Sequence, residues 1–233
     1  IEAVAASTRL PFADGLVLET ELVNQCKKTD ESKGAVHAFF AERETRKIPD
    51  LPATATARPV ASAGIIGAGT MGGGIAICFA NAGIPVTLID AAQGGLERGL
   101  ANVDRTYESM VKRGRLSPED KAKRMGLIKG SLSYDDLRDV DVVIEAVFED
   151  MELKKSIFAK LDAIAKPGAV LATNTSTLDI DVIASATKRP QDVIGMHFFS
   201  PANVMPLLEV VRTRSTSAET IRTVMDLSKP LRK

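Results

Sequence analysis

Cysteine, histidine and net charge are scarce in this sequence. Its two cysteines, Cys26 and Cys78, lie far apart and lack metal-ligand spacing, which excludes a disulfide framework or a cysteine-zinc site and fits a reducing compartment. Thirty basic residues balance thirty acidic ones, so no global field draws in nucleic acid or an anionic membrane surface. No apolar run reaches the length of a membrane span, and no internal repeat is present. An initiating methionine is also missing: the chain opens on Ile1 inside an ordered-looking stretch and reads as part of a longer polypeptide, with any targeting signal at the original ends out of view. What remains, 45% hydrophobic and 26% charged, is the composition of a globular protein with material for one domain and an appendage, or for two small domains.

Residues 1–48 read as helical, with the polar break KKTDESKG between GLVLETELVNQCKK and AVHAFFAERETRK. In the second stretch Phe39, Phe40 and Arg43 to Lys47 suggest an apolar stripe with a charged face. Two helices do not make a self-sufficient core. IPDLPATATARPVAS, with Pro49, Pro52 and Pro59, has linker composition and sets a domain boundary near residue 60. From there short apolar runs alternate with helical stretches: VASAGIIGAG, PVTLID, LIKGSLS, DVVIEAV, GAVLATN, DVIGMHFF and PLLEVV as strands, and a long helix over 92–114 weakened by Gly94, Gly95 and Gly99. Such alternation predicts an α/β domain over 61–233 whose mainly parallel, doubly wound sheet is covered on both faces.

The first of these strands ends in GIIGAGTMGGG, which places G-x-G-x-x-G at Gly67, Gly69 and Gly72. Gly67 permits the tight turn, Gly69 lets backbone approach a pyrophosphate, and Gly72 lets the helix pack close to the strand. Thr70 and Met71 begin that helix and present free N–H groups to an anion. The second strand ends in Asp90, placed to accept hydrogen bonds from both adenosine ribose hydroxyls. With no arginine in the following AAQGG to accommodate a 2′-phosphate, the pattern is of the Rossmann type and selects NAD over NADP. Glu145, Glu149 and Lys154 stand at another strand end and either line the same crevice or form a capped helix start, with Lys154 paired to Asp150 at i, i+4.

Oxidation of an alcohol needs a base for the hydroxyl proton, with a pKa near the working pH. His197, ending the strand DVIGMHFF, meets that need; a packed structural ring is the competing reading. On the next strand Glu209 sits among Leu207, Leu208, Val210 and Val211, where a buried carboxylate is costly without a partner, and His197 is the histidine able to supply one. Asn174 and Ser176, in ATNTSTLDI, either hold the substrate oxygen or form an Asx or Ser/Thr turn into the helix at Asp179.

Taken together, GIIGAGTMGGGIA, Asp90, VIEAVFEDMELKK, NTS and HFFSPANVMPLLEV resemble the L-3-hydroxyacyl-CoA dehydrogenases of fatty acid β-oxidation over roughly residues 60–230. HAFFAERETRKIPDLP resembles the segment that joins hydratase and dehydrogenase parts in the multifunctional enzymes. The resemblance implies NAD-dependent oxidation of an L-3-hydroxyacyl-CoA, with His197 as acid/base, Glu209 as its orienting partner and Ser176 donating to the substrate C3 oxygen. It implies contacts from Glu149 and Lys154 to the nicotinamide ribose and from Asp90 to the adenosine ribose, groups Asn174 with the cofactor contacts, and places Thr106 and Arg113 near coenzyme A. It further implies a covalently linked hydratase upstream, and downstream a helical domain that closes over the acyl chain and an asparagine that completes the catalytic set. The location would be peroxisomal in a eukaryote and cytoplasmic in a bacterium. A small β-hydroxyacid dehydrogenase shares the fold opening but uses a lysine base from a later helix. A dinucleotide-binding module with little turnover of its own is the other alternative.

Overall fold

A computed structural model describes all residues from Ile1 to Lys233, and they divide into two compact units, Ile1–Asp50 and Leu51–Lys233. The first holds three helices, α1 (Glu2–Ala6), α2 (Phe12–Cys26) and α3 (Asp30–Glu44). The polar break is shorter than its composition suggests, because Thr29 caps α3 by accepting from the Ser32 N–H at 3.1 Å, and Asp30 and Glu31 favour the positive end of the helix dipole. Phe39 and Phe40 meet edge to face at 5.4 Å, both about half exposed, and Ala6 is the one buried residue of the three helices. This unit of three helices has no core of its own.

In the second unit the elements run β1 (Ala63–Ile66), α4 (Thr70–Asn81), β2 (Val86–Ile89), α5 (Gln93–Lys112), α6 (Pro118–Met125), β3 (Ile128–Ser131), β4 (Val142–Glu145), α7 (Met151–Ile164), β5 (Val170–Thr173), α8 (Ile180–Ala184), β6 (Val193–Phe198), β7 (Leu208–Arg212) and α9 (Ala218–Ser228). The seven-stranded sheet has the order β3-β2-β1-β4-β5-β6-β7, parallel throughout except that β7 is antiparallel to β6. β1, β4 and β5 are buried at every position, which is why they read as unbroken apolar runs. Beneath α7 and α8, Phe158, Leu161 and Ile183 pack on Val143, Leu171 and Val193; burying each large side chain there contributes about 1.5–3 kcal/mol. The chain leaves β1 toward β2 and β3 and then returns to β4 on the other side, so the carboxyl ends of β1 and β4 flank a crevice.

Residues 51–62 lack regular structure, as linker composition suggests, and are bonded to the domain. Arg58 donates from its backbone N–H to Thr223 Oγ1 at 2.9 Å and from its guanidinium to the Gly168 carbonyl at 2.6 Å, and pairs with the buried Asp192 at 2.8 Å. The Asp141 carboxylate accepts from the Ala61 and Ser62 N–H groups at 2.8 and 2.9 Å and pairs with Lys166 at 2.6 Å. Proline and small polar residues report what a backbone prefers by itself; one arginine and one aspartate tie this one to the domain.

Candidate active site

At the end of β1 two of the three motif glycines meet a steric constraint. Gly67 sits at φ +99°, and a Cβ there would lie 2.7 Å from the Ala146 carbonyl oxygen. A Cβ on Gly72 would lie 1.7 Å from the Gly67 carbonyl oxygen, so α4 can close on the strand end only without a side chain. Gly69, the N-cap, borders open space, with nothing within 4 Å of the position its Cβ would take. No side chain caps α4, and the N–H groups of Thr70, Met71 and Gly72 find no acceptor within the protein. Unpaired N–H groups beside the open space at Gly69 fit a pyrophosphate. Asp90 is fixed beside it: Oδ2 accepts from the Ala68 N–H at 3.0 Å and Oδ1 from the Ala92 N–H at 3.2 Å, leaving lone pairs for ribose hydroxyls.

α5 spans Gln93–Lys112, and its glycines, which count as weaknesses by propensity, have a use. A Cβ on Gly95 would lie 2.4 Å from Asp90 Oδ1, and one on Gly99 would lie 2.4 Å from the Ala68 carbonyl oxygen. Their absent side chains let α5 approach the turn and the acid together. Their i, i+4 spacing on one helix face is the signal from which this was legible.

Across the crevice the expected pairing of Lys154 with Asp150 does not form. Asp150 is the N-cap of α7 and curls over its end to accept from the Leu153 N–H at 2.8 Å, while Lys154 points inward, 1% exposed, and pairs with the fully buried Glu145 at 2.7 Å. Glu149 lies between the two environments. Its Oε2 is 3.5 Å from the Lys154 ammonium, and its Oε1 accepts from the Thr175 hydroxyl and from the Ser176 and Thr177 N–H groups at 3.1 and 3.2 Å. Burial works against its charged form, but those hydrogen bonds and the Lys154 charge prevail and hold the carboxyl below the ordinary glutamate range. Asp150 thus forms the capped helix start and Glu149 holds the loop of Ser176, while the fully buried Glu145 does not line the crevice.

His197 and Glu209 face each other in register across β6 and β7, and His197 Nδ1 meets Glu209 Oε2 at 2.8 Å. A neutral ring donating from Nδ1 to the carboxylate presents the Nε2 lone pair, which has no partner in the protein. The burial expected for Glu209 is not observed: its side chain is 51% exposed against 19% for His197. β7 is the edge strand, and Leu207 and Val211 are themselves exposed, so the apolar neighbours of Glu209 mark an uncovered surface rather than a core. Asn174 joins this strand pair to β5, its Oδ1 accepting from the Phe198 N–H at 2.8 Å, which leaves its amide NH2 to donate elsewhere. Ser176 is exposed two residues later, held through its N–H by Glu149. A Cβ on Gly195 would meet Ile180 of α8, so strand alternation puts His197 on the face that α8 covers, and the loop carrying Ser176 leads into that helix.

Thr106 and Arg113 are not brought to this edge by any bond: the Thr106 hydroxyl donates to the Asn102 carbonyl of its own helix at 2.9 Å, and Arg113 is the exposed C-cap of α5. A cavity of about 270 Å³ lies beside α8, lined by Ser176, Leu178, Asp181, Val211 and Thr213 among others, but not by His197, Glu209 or the glycine turn. No group of three His, Cys, Asp or Glu side chains is placed to hold a metal ion. No helix is long and apolar enough to cross a membrane.

An N–H cradle at the crevice and a histidine–carboxylate couple farther along the same sheet edge are the parts of a dinucleotide-dependent dehydrogenase domain. The chain is 46% identical over 238 residues to the peroxisomal bifunctional enzyme of Cavia porcellus, all of it aligned with 32% of that protein. Two of the solved structures that share the fold are similar in sequence as well. The (S)-3-hydroxybutyryl-CoA dehydrogenase PaaH1 from Ralstonia eutropha has a TM-score of 0.74 at 41% identity, covering 75% of this chain and 62% of that one. The dehydrogenase part of multifunctional enzyme 1 from C. elegans has a TM-score of 0.73 at 34% identity, covering 80% and 44%. The chain belongs to the 3-hydroxyacyl-CoA dehydrogenase family, residues 62–233 matching its NAD binding domain. It spans about a third of the length of the curated relatives it matches, which in animals and plants are peroxisomal or glyoxysomal proteins.

Proposed function

We propose that this chain is the dehydrogenase part of a multifunctional β-oxidation enzyme and oxidises an L-3-hydroxyacyl-CoA to the 3-ketoacyl-CoA. The observation that carries this reading is the 2.8 Å bond between His197 Nδ1 and Glu209 Oε2 on the sheet edge that also holds the dinucleotide cradle. NAD+, when bound, would accept the hydride that leaves C3. His197 Nε2 takes the C3 hydroxyl proton, and the Glu209 carboxylate orients the ring and offsets the imidazolium charge. Ser176 donates its hydroxyl to the C3 oxygen. Asp90 binds the adenosine ribose, the N–H groups of Thr70, Met71 and Gly72 hold the pyrophosphate, and Glu149 and Lys154 address the nicotinamide ribose. Asn174 turns its amide NH2 toward the cofactor, and Thr106 and Arg113 reach coenzyme A. The linked partners are a hydratase part upstream and a helical domain downstream; the location is peroxisomal in a eukaryote and cytoplasmic in a bacterium.

The half-exposed Glu209 favours a second statement about the 233 residues by themselves: they bind NADH but turn over slowly, because a solvated pair is less preorganised than one enclosed by protein. The reaction is tested by offering NAD+ with L- and D-3-hydroxybutyryl-CoA and with free 3-hydroxybutyrate. Formation of NADH from the L-thioester alone is the expected result. Equal use of the free acid would favour a small β-hydroxyacid dehydrogenase instead.

A further inference from the structure

A fully buried ion pair lies directly beneath the crevice, and the proton-transfer chemistry does not use it. Glu145 is 0% exposed and Lys154 1%. Burying two charges is costly, and apolar residues of similar volume pack at least as well, so such a pair needs a reason beyond stability. Its connections give one. Glu145 Oε1 accepts from Lys154 Nζ at 2.7 Å and from the Val147 N–H at 2.8 Å, and Oε2 accepts from the Thr173 hydroxyl at 2.8 Å. Thr173 Oγ1 in turn accepts from the Thr175 N–H at 3.3 Å. One carboxylate therefore grips the loop after β4, the loop after β5 and the ammonium that faces Glu149 at 3.5 Å.

We infer that Glu145 is a positioning residue for the nicotinamide half of the cofactor. This rests on the proposed placement of the nicotinamide ribose at Glu149 and Lys154. Glu145 touches neither cofactor nor substrate. It holds the Lys154 charge against Glu149, and Glu149 holds Ser176, so the strand end of β4 sets the geometry of both crevice walls from below. Of the three hydrogen bonds it accepts, two come from groups that bear on these walls through further bonds, Lys154 and Thr173.

The test separates the two halves of the cofactor by comparing NADH with ADP, which carries the adenosine and pyrophosphate but no nicotinamide. Glu145→Gln in the 233-residue chain is expected to weaken NADH about tenfold, the loss that follows from removing a charge-assisted hydrogen bond, and to leave ADP affinity unchanged. Thr173→Val keeps both charges paired and the shape nearly constant, and decides the matter should Glu145→Gln fail to fold; it is expected to weaken NADH severalfold, again with ADP unchanged. NADH affinity untouched in Thr173→Val, or ADP lost in parallel with NADH, would overturn the inference. If the unmutated chain bound ADP but not NADH, or neither, the nicotinamide placement would fail first and this inference with it.

Discussion

Replacing Gly72 and Gly69 by alanine, one at a time, adds the same methyl group three residues apart and is expected to do opposite things. At Gly72 the new Cβ would stand 1.7 Å from the Gly67 carbonyl oxygen, and Gly67 is anchored by its own N–H to the Ile89 carbonyl at 2.7 Å. The helix must yield by more than about 1 Å to restore ordinary contact distances. Every residue from Gly72 to Ala80 is buried, so the displacement opens gaps along the whole of α4. Overpacking with that consequence costs about 3 kcal/mol or more. For a domain of this size the thermal midpoint then falls by ~6–12 °C. At Gly69 the methyl enters open space, with φ −72° already suited to alanine. The poorer N-cap is offset by the lower entropy of the unfolded chain, each under about 1 kcal/mol, so the midpoint stays within ~2 °C. The same methyl stands between an incoming phosphate and the N–H groups, and NADH affinity drops at least about tenfold. Scanning calorimetry and NADH fluorescence titration on both variants read the two effects. Unchanged stability in Gly72→Ala, or unchanged NADH affinity in a folded Gly69→Ala, would refute the reasoning.

Asp90→Ala removes the acceptor for ribose hydroxyls together with the brace on Ala68, so NADH affinity is expected to fall about 10–100-fold while that of NADPH changes little, narrowing their ratio in parallel titrations. Arg58→Ala leaves the buried Asp192 unpaired and removes the guanidinium bond to the Gly168 carbonyl, at a cost of about 2–4 kcal/mol measured by urea unfolding. Burial opposes the charge of Asp141, but Lys166, the Ala61 N–H and the Ser62 hydroxyl prevail and hold its carboxyl below the ordinary 3.8. A depressed folded value means stability that is present above about pH 4 and lost as pH falls through that lower value. Asp141→Asn is therefore less stable at neutral pH and loses stability more gradually on acidification, as acid titration followed by circular dichroism would show.

Much of the fold was legible because parallel strands buried on both faces leave unbroken apolar runs, and every strand expected beyond residue 60 is present. The glycine turn was legible because Gly67 and Gly72 each answer a separate backbone constraint at fixed spacing. Glu209 shows where pattern reading stops. Its apolar neighbours look alike in sequence whether a strand is central or at an edge, and only the sheet order shows that β7 is uncovered. Lys154 illustrates a second limit: i, i+4 spacing made Asp150 its natural partner, but a carboxylate at an N-cap turns back over the helix end, and the partner came from Glu145 nine residues away on β4. Arg58 illustrates a third, since anchors over 100 residues distant leave no local trace in a linker-like segment.

The central claim, that His197 exchanges the proton at C3, is tested most directly by a single-turnover assay with enzyme in excess over NADH, following loss of NADH absorbance when acetoacetyl-CoA is added. The His197→Gln chain is expected to bind NADH as the unmutated chain does and to consume it at least about a hundredfold more slowly, the share of rate that a positioned acid/base supplies. Equal rates in the two chains at equal NADH occupancy would contradict the account.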